Sequence, residues 1–458
     1  MYIKQIYTSC LAQASYYIES KGCAAVIDPI RDVDVYLQLA KERKATIQYV
    51  LETHFHADFI SGHLDLARKT GAVIVFGPQA KPTYKAMVAR DGDRISLGDI
   101  KIELMHTPGH TIESSCFLAI DENEKPYAVF TGDTLFVGEV GRPDLGSGNL
   151  DKKELAGRLY DSLNKHIKVL PDDVIVYPGH GSGSACGKNL GAETWSTIWE
   201  QKLSNYALQK MDKDEFIAKI TEGLPTPPAY FAHDASANRN GYESLDTLLK
   251  RGTKELTHEE FKSETKNGAV ILDVRNSTDF GIGFIKGSIN IGLEGDFAVW
   301  AGNLIPAEKE LILVVRDHQE EEAVTRLARI GFDHVKGFLR EDIIGWINMQ
   351  YPVDHIQTIA SSQIDKYLEQ GYIILDVRKT DEVSSGRIKH AINIPLNELE
   401  KALTGFARKE KYLVYCAGGY RSMIAASILK AHGFSDVKNI RGGMTQIRKD
   451  TPSLIEKE

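Results

Sequence analysis

The chain has 458 residues, which at roughly 100–200 residues per domain is enough for several domains. Hydrophobic residues make up 42% and charged residues 26% of the chain, an ordinary globular composition that excludes disordered, collagenous and coiled-coil classes. The formal net charge is −8 and no long basic run is present, so the sequence predicts no nucleic-acid partner.

The N-terminus and the cysteines bear on the compartment. The first ten residues, MYIKQIYTSC, lack the basic and apolar regions of a signal peptide. No apolar stretch reaches the roughly 18 residues that span a membrane. The five cysteines, Cys10, Cys23, Cys116, Cys186 and Cys416, are odd in number and scattered, which does not indicate a disulfide framework. We therefore expect a protein of the reducing cytoplasm, with no membrane partner.

Residues 1–245 read as one domain of strands and helices. Short strand-like runs open it, an amphipathic helix is predicted over 32–44, and the strand-like run IQYVLE (47–52) leads into THFHADF. Further strand-like runs are RISLGDIKIELMHT, SSCFLAI and YAVFTGD, and a helical pattern returns at 152–169. Strand pairs with intervening helices predict a sheet sandwich flanked by helices. The segment 241–256 is the predicted connection to the next domain.

The C-terminal part of the chain contains an internal repeat. ILDVRNSTDF (271–280) matches ILDVRKTDEV (374–383), and GFIKGSINIG (283–292) matches GRIKHAINIP (386–395). An offset near 100 residues is too long for a solenoid and fits two copies of one domain. Apolar β-rich runs alternate with helical segments, which predicts α/β domains with parallel sheets. The predicted copies cover 253–352 and 357–458, with a linker near 351–358.

Four runs in the first domain place a His or Asp directly after an apolar, strand-like segment. Imidazole and carboxylate groups that converge from several strand ends are typical of a transition-metal site. The alternative is a group of hydrogen-bonded polar loop residues. The runs are T-H-F-H-A-D-F (53–59), T-P-G-H-T (107–111), F-T-G-D-T (130–134) and Y-P-G-H-G (177–181).

These four runs resemble the signature of the metallo-β-lactamase superfamily, and the resemblance covers most of residues 1–240. It implies an αββα sandwich. In the hydrolases of that superfamily the first run usually reads H-x-H-x-D-H and serves two metals, whereas this chain has Phe59 after Asp58. The missing histidine removes a second-metal ligand, and this argues against a two-metal hydrolase such as glyoxalase II.

The runs ETHFHADFISGH and GDTLFVGEVGRPDL (132–145) are similar to the persulfide dioxygenase branch. That resemblance implies one mononuclear Fe(II) per chain, held by His54, His110 and Asp133, with open positions for the persulfide sulfur and O2. The implied reaction is R-S-SH + O2 + H2O → R-SH + sulfite. The remaining positions that match hydrolase ligands would instead orient the iron ligands; they are His56, Asp58 and His180.

Four further residues are candidate substrate contacts. For Arg142, two interpretations stand: it binds a carboxylate of the thiol carrier, or it stabilises Asp144. Tyr177 precedes the P-G-H turn, and Arg239 lies in a segment, ANRNG, that resembles a family segment near the thiol-carrier site. Cys186, in the small-residue run GSGSACGK, is either a sulfur-relay residue or a packed turn cysteine.

A second constellation, C-A-G-G-Y-R (416–421), lies between the apolar run YLVY and the helical segment SMIAASILKAHG. The helix N-terminus and Arg421 favour a thiolate at Cys416, which can accept a sulfane sulfur and hold it as a persulfide. The alternative is a buried turn cysteine. The predicted persulfide-cradling loop consists of Ala417, Gly418, Gly419 and Tyr420.

This second copy closely resembles rhodanese over 357–455, including the six-residue loop from Cys to Arg and the segment NIRGGM (439–444). Asp376, Arg378 and Glu382 are expected to stabilise the fold.

The first copy has Arg316 at the position of Cys416, and no cysteine occurs in 187–415. That copy cannot form an enzyme persulfide. We interpret it as a structural spacer or docking surface, with a regulatory anion site at Arg316 as the alternative.

The three-part order resembles the persulfide dioxygenase–rhodanese fusions of bacterial sulfide detoxification, which implies thiosulfate as the overall product and a homo-oligomer, dimer or tetramer. The expected small-molecule partners are a thiol persulfide, O2 and sulfite. The thiol carrier stays open among coenzyme A, glutathione and bacillithiol. Two other functions remain: a glyoxalase II-like zinc thioester hydrolase fused to a sulfurtransferase, and a non-enzymatic sulfur carrier.

Overall fold

The structure is a computed structural model that describes residues 1–145 and 150–456. It separates into two compact units, of which the first holds Met1–Thr247 with Leu327–Asp333, and the second holds the remainder from Leu248 onward. Among the described helices, none is both long enough and apolar enough to cross a membrane. The domain boundaries given by the sequence pattern stay predictions.

The first unit contains two six-stranded sheets, ordered β1-β2-β3-β4-β5-β6 and β12-β11-β10-β9-β8-β7. The strands of the first sheet are β1 Tyr2–Thr8, β2 Gln13–Ser20, β3 Cys23–Ile27, β4 Thr46–Leu51, β5 Val73–Phe76 and β6 Met87–Val88. Those of the second are β7 Arg94–Leu97, β8 Ile100–His106, β9 Ser115–Ile120, β10 Pro126–Gly132, β11 Ile175–Pro178 and β12 Ser196–Thr197.

Alternation of side chains along the strands builds the layers of this unit. In β8, Ile102 and Leu104 join a core shared with residues of the first sheet, such as Ile27, whereas Met105 faces a second core formed with helical residues such as Leu159. Successive side chains of a strand point to opposite faces, so one strand contributes to both cores. The predicted αββα sandwich is confirmed.

Helices flank the two sheets. The segment 241–256, predicted as the connection to the next domain, includes a helix at Leu245–Gly252, in which Leu245 and Leu248, one turn apart, are both buried. The helices of this part are α1 Asp34–Arg43, α2 His63–Thr70, α3 Lys152–Ser162, α4 Ile198–Ser204, α5 Lys213–Thr221, α6 Phe231–Asn240 and α7 Leu245–Gly252.

The second unit contains the two predicted copies, each with a five-stranded parallel sheet of the same strand order, β13-β18-β17-β14-β16 and β20-β25-β24-β21-β23. The first copy has β13 Glu255–Leu256, α8 His258–Lys266, β14 Val270–Asp273, α9 Ser277–Ile282, β15 Phe284–Ile285, β16 Ile289–Asn290, α10 Phe297–Leu304, β17 Leu311–Val314, α11 Glu320–Ala328, β18 Val335–Leu339, α12 Asp342–Asn348 and β19 Val353–Asp354. The second has β20 Gln357–Ile359, α13 Ile364–Glu369, β21 Tyr372–Asp376, α14 Thr380–Val383, β22 Arg387–Ile388, β23 Ile392–Asn393, α15 Leu399–Ala402, β24 Lys411–Tyr415, α16 Tyr420–Ala431, β25 Val437–Ile440, α17 Gly443–Asp450 and β26 Ile455–Glu456. The predicted parallel α/β domains are thereby confirmed.

Candidate metal centre and sulfur-transfer loop

The predicted metal ligands come together at one edge of the sandwich. His54 follows β4, His110 lies between β8 and β9, and Asp133 follows β10 directly. One donor atom from each of the three lies within 4.8 Å of the others, and all three side chains are buried. The geometry is that of a three-donor site with two imidazoles and one carboxylate.

The inner atoms of these ligands are the strongest sign that a cation belongs here. Nε2 of His54 and both carboxylate oxygens of Asp133 are buried and have no hydrogen-bond partner among the residues that the structure describes. Nε2 of His110 lies 3.5 Å from Oδ2 of Asp133. Because unsatisfied buried polar atoms are costly and rare in native proteins, the donor set fits a transition-metal cation such as Fe(II) or Zn(II).

Hydrogen bonds behind the two imidazoles direct their Nε2 atoms inward. Nδ1 of His54 lies 2.9 Å from the Thr53 hydroxyl, which donates to Oδ2 of Asp28 at 2.8 Å. Nδ1 of His110 lies 2.9 Å from the carbonyl oxygen of Arg142. Burial, helped by the neighbouring histidines, lowers the pKa of His54 well below its usual range, so this imidazole is neutral, as a metal ligand must be.

Asp28 is a site residue that the sequence pattern did not single out. Its carboxylate accepts from both the amide and the hydroxyl of Thr53, each at 2.8 Å, and thereby fixes the start of the first run. Asp28 directly follows β3, just as the other site residues follow their strands. This position directly after a strand is the sequence feature by which Asp28 could have been identified.

Gly179, in the turn before His180, lets the backbone approach the centre. A Cβ atom built on Gly179 would lie 2.6 Å from Oδ1 of Asp133. A residue with a side chain would displace the carboxylate, so the site requires glycine at this position.

His56 lies beside His54, with ring centroids 4.2 Å apart, but its ring nitrogens belong to other groups of donor atoms. Its Nε2 lies 3.1 Å from Oδ1 of Asp28, and its ring packs on Phe59 with ring centroids 4.3 Å apart. Burial alone would lower the pKa of His56, but the carboxylates of Asp28, Glu52 and Asp58 together outweigh it and raise the pKa to about 9. An imidazolium that retains both protons has no lone pair for a metal.

A second group of donors nevertheless exists. Single atoms of His56, Asp58 and His180 also lie within 4.8 Å of one another, and Nε2 of His180 is 3.3 Å from Oδ2 of Asp58 and 3.6 Å from Oδ1 of Asp133. The second group could therefore hold another cation once His56 loses its proton.

The ANRNG segment contacts the first run from α6. The Asn238 amide donates to the carbonyl oxygens of His56 and Phe59 at 2.8 and 2.7 Å, which clamps the loop that carries the ligands. The exposed Arg239 places its guanidinium carbon 5.3 Å from the ring centroid of Phe55. Arg239 thus lies beside the ligand loop and stays a candidate contact for substrate.

Two other candidate contacts are engaged in the protein itself. The Arg142 side chain, 1% exposed, pairs with Asp144 through Nε at 2.7 Å and Nη2 at 2.8 Å. This geometry favours the interpretation in which Arg142 stabilises Asp144. Tyr177 stacks on Phe130 with centroids 5.3 Å apart and packs against the core between the sheets.

Cys186 faces the metal centre. Its sulfur belongs to a group with atoms of Asp133 and His180 that all lie within 4.8 Å of one another. Burial, reinforced by the charges of Asp58 and Asp133, raises the pKa of the Cys186 thiol well above its ordinary value. The packed-cysteine interpretation accounts for its burial but not for this position beside the candidate ligands.

In the second copy, the loop after β24 surrounds the Cys416 sulfur. The amide of Gly419 donates to Sγ at 3.1 Å, and the Ser422 hydroxyl lies 3.6 Å away. Arg421 forms a two-pronged pair with Glu382 at 2.6 and 2.7 Å, which lowers the pKa of Glu382. An amide donor aimed at the sulfur is what a thiolate or persulfide needs.

The segment NIRGGM holds this loop from behind. The amides of Met444 and Thr445 donate to the carbonyl oxygens of Cys416 and Ala417 at 2.7 and 3.0 Å. Gly443 has a φ of +53°, and a Cβ there would lie 2.3 Å from the Cys416 carbonyl oxygen, so only glycine fits. Gly418 is exposed at the tip of the loop.

The corresponding loop of the first copy is closed by an ion pair. The strand pairing shows that the alignment of Arg316 with Cys416 is wrong. Val314 pairs with Asp273 as Tyr415 pairs with Asp376, so the buried Val315 stands at the position of Cys416. Arg316, the next residue, is exposed and pairs with Asp279 on α9. Asp279 occupies the position of Glu382 in the second copy. The guanidinium is therefore already neutralised in this structure, which does not favour a regulatory anion site at Arg316.

Family models and known proteins agree with this architecture. The metallo-beta-lactamase superfamily model matches residues 8–180, and the rhodanese-like domain model matches 257–348 and 360–450. A probable hydroxyacylglutathione hydrolase of Schizosaccharomyces pombe is 35% identical over 34% of this chain and 58% of its own length. The chain thus spans somewhat over half the length of that relative.

Two solved structures are also similar. The crystal structure of a metallo-beta-lactamase from Staphylococcus aureus is 34% identical, covering 74% of this chain and 99% of that one with a TM-score of 0.67. ETHE1 from Myxococcus xanthus is 30% identical over 52% of this chain and 98% of that one, with a TM-score of 0.46. The chain therefore belongs to the metallo-beta-lactamase superfamily, with two rhodanese-like domains after the domain that carries the metal-site residues.

Proposed function

We propose that this protein oxidises low-molecular-weight thiol persulfides at a mononuclear iron(II) site and passes sulfane sulfur to the resulting sulfite through Cys416. The observation that carries the proposal is the position of His56, whose Nε2 lies 3.1 Å from Oδ1 of Asp28 beside Phe59, a residue that offers no metal ligand. His54, His110 and Asp133 bring one donor atom each within 4.8 Å of one another, and Nε2 of His54 and both carboxylate oxygens of Asp133 have no hydrogen-bond partner among the described residues.

Two imidazoles and one carboxylate leave coordination positions free, an arrangement typical of non-heme iron oxygenases. Iron(II) bound there would supply the redox chemistry that joins O2 to the persulfide sulfur. The chain's own contribution is to keep both imidazoles neutral and oriented, through Thr53 and the Arg142 carbonyl. The reaction balances as R-S-SH + O2 + H2O → R-SH + SO3²⁻ + 2H⁺.

The Cys416 loop supports the transfer step. A persulfide on Cys416 gives its outer sulfur to sulfite: Cys-S-S⁻ + SO3²⁻ → Cys-S⁻ + S2O3²⁻. The S–S bond of the persulfide breaks, a new S–S bond forms in thiosulfate, and the electron pair of the broken bond stays on Cys416. The Gly419 amide, 3.1 Å from Sγ, stabilises the charge on the departing thiolate.

We further propose that the protein detoxifies sulfide in a reducing cytoplasm, and that it acts as a homo-oligomer with a small thiol carrier. The free cysteines of the chain support a reducing compartment. Arg239, exposed beside Phe55, is the cationic side chain that we expect to contact an anionic group of the carrier.

A thioester hydrolase of the glyoxalase II type is the second candidate. The group of His56, Asp58 and His180 could hold a second cation, and several relatives are named hydroxyacylglutathione hydrolases. A two-zinc hydrolase needs His56 to release Asp28 and to bind metal as a neutral imidazole. Phe59 supplies no ligand in place of the histidine usual in the hydrolases.

The two functions are separated by metal content and paired assays. We expect one iron per chain, O2 uptake with glutathione persulfide, and no hydrolysis of a glutathione thioester. His54→Ala should lose the metal and at least about 100-fold in O2 uptake, whereas His56→Ala should retain one iron. His166→Ala, outside both donor groups, is the control. Two zinc ions per chain with thioester turnover would establish the hydrolase instead.

A further inference from the structure

The helix that follows the catalytic cysteine is buried on every side. In α16 all eight residues from Ser422 to Leu429 are buried, and none is charged. A helix at the surface of a domain normally shows one polar face to water. The burial of α16 therefore requires a cover beyond the sheet of its own copy.

The first, cysteine-less copy supplies that cover within the same compact unit. The amide of Asn290, on edge strand β16, donates to the Ser427 hydroxyl at 2.9 Å. At the end of α9, a Cβ on Gly281 would lie 3.3 Å from Cε of Met423. Two successive turns of α16 thus pack on the first copy.

The contact reaches the catalytic loop through Tyr420. Its hydroxyl donates to the carbonyl oxygen of Gly292 at 2.8 Å. Cβ atoms built on Gly292 and Gly295 would each lie 3.7 Å from the Tyr420 ring. Burial, together with the negative charge of Asp296, raises the pKa of Tyr420, so the phenol stays protonated and keeps donating.

The second copy shows the same sheet edge, that of β16 in the first copy, without a described helix packed on it. Its equivalent strand, β23, carries Ile392 with 44% of its surface exposed, and Asn393 is partly exposed where Asn290 is 2% exposed. The two edges share sequence and position in the sheet. They differ in that the first copy's edge is occupied by the helix of the active copy.

We propose that the cysteine-less copy is a positioning element of the sulfur-transfer site, and that Tyr420 is the positioning residue through which it acts. Tyr420 directly follows Gly419, whose amide points at the Cys416 sulfur. Anchoring the Tyr420 hydroxyl to Gly292 fixes the direction of that amide. The biological consequence rests on the proposed sulfur-transfer role of Cys416.

Tyr420→Phe in the full-length protein tests the proposal, because it removes the anchoring hydroxyl and keeps the ring. We expect Cys416 to react with iodoacetamide about 3- to 10-fold more slowly at pH 7, the factor that corresponds to one hydrogen bond. Its pH–rate profile should move to higher pH. Transfer of sulfur from glutathione persulfide to sulfite should lose a similar factor in kcat, with KM little changed.

Tyr367→Phe is the matched control, since it removes a hydroxyl from a buried tyrosine of the same copy that packs on Tyr372. Hydrogen exchange of the peptide 416–421 should accelerate in Tyr420→Phe and stay at the wild-type rate in the control. Ser427→Ala removes a second hydrogen bond to the first copy, the one from the Asn290 amide, and should produce a smaller change in the same direction.

The proposal would be overturned if both variants, Tyr420→Phe and Ser427→Ala, showed the same alkylation profile and exchange rates as the wild type. The alkylation test does not depend on turnover. A wild-type protein that transfers no sulfur, yet shows the slowed alkylation in Tyr420→Phe, would instead contradict the proposed function and leave the positioning role intact.

Discussion

The two rhodanese-like copies keep the same interior and differ at the one loop where chemistry would occur. In both, a buried Asp–Arg pair lies at the end of the second strand, β14 or β21: Asp273 with Arg275 at 2.5 Å, and Asp376 with Arg378 at 2.6 Å. Each arginine also donates to a backbone carbonyl eight residues ahead. The pairs organise the fold, because they are equally present in the copy without a cysteine.

The loops after β17 and β24 differ in charge as well as in the cysteine. The first copy reads V-R-D-H-Q between β17 and α11, where the second reads C-A-G-G between β24 and α16. In each copy one guanidinium pairs with an acid of α9 or α14, Arg316 with Asp279 and Arg421 with Glu382. The ion pair is retained while its arginine moves from the start of α16 to the loop, next to the Val315 that stands in place of Cys416.

The largest effect should come from the buried pairs. Asp273→Ala and Asp376→Ala each leave an uncompensated buried guanidinium, which we expect to cost about 3–5 kcal/mol in their own copy. Asp376 also accepts from the Tyr415 hydroxyl at 2.6 Å, and Val314 stands at the position of Tyr415 in the first copy, so the loss of Asp376 should cost about 1 kcal/mol more.

Native-state hydrogen exchange of β14 and β21 measures each copy separately. Asp161→Ala, an exposed ion-pair partner of Lys213, is the control. If Asp273→Ala lowered exchange protection in its copy more than Asp376→Ala does in the other, a scaffold role shared by both pairs would be contradicted.

A smaller effect is expected for the pair beside the sulfur. Arg421 lowers the pKa of Glu382, so its stabilisation is fully present above the unfolded pKa, about 4.3, and is lost as the pH falls through the lower folded value. Because the Glu382 side chain is 31% exposed, Glu382→Gln should cost only about 0.5–1 kcal/mol. Exchange protection of peptide 416–421 should differ from wild type at pH 6–7 and converge below about pH 4; a difference independent of pH would exclude the ion pair as its source.

The smallest effect, no gain at all, is expected when a cysteine is returned to the first copy. Val315→Cys in a Cys416→Ser background should transfer no sulfur, because the loop 316–319 contains no glycine, and α11 begins with Glu320 and Glu321 where α16 begins with Tyr420 and Arg421. Mass spectrometry after incubation with glutathione persulfide measures persulfide at the introduced thiol. Substantial turnover would show that the cysteine alone distinguishes the copies.

The sequence predicts a metal site because each of four His- and Asp-containing runs follows an apolar strand. The choice of His54, His110 and Asp133 as the ligands comes from the resemblance to the persulfide dioxygenase branch, since spacing alone does not distinguish them from the other histidines. Asn238 was missed because it clamps carbonyl groups 182 and 179 residues away, a contact that no local pattern encodes. The same holds for Tyr420, whose partner Gly292 is 128 residues distant.

Two further segments show what local patterns leave open. Leu245 and Leu248 form a buried helical face inside the segment predicted to be the connection. Cys186 lies in a glycine- and serine-rich run typical of a turn, yet its sulfur faces the metal-site residues. In both cases the decisive interaction is with a distant part of the fold.

The most direct test of the central claim is O2 consumption by the iron-loaded protein supplied with glutathione persulfide, with sulfite and thiosulfate quantified for wild type and Cys416→Ser. We predict equal O2 uptake in both, with thiosulfate from the wild type and sulfite from the variant; Cys23→Ser should behave as wild type. No O2 uptake by a verified iron-loaded sample, or an unchanged ratio of products in Cys416→Ser, would contradict the coupled two-site function.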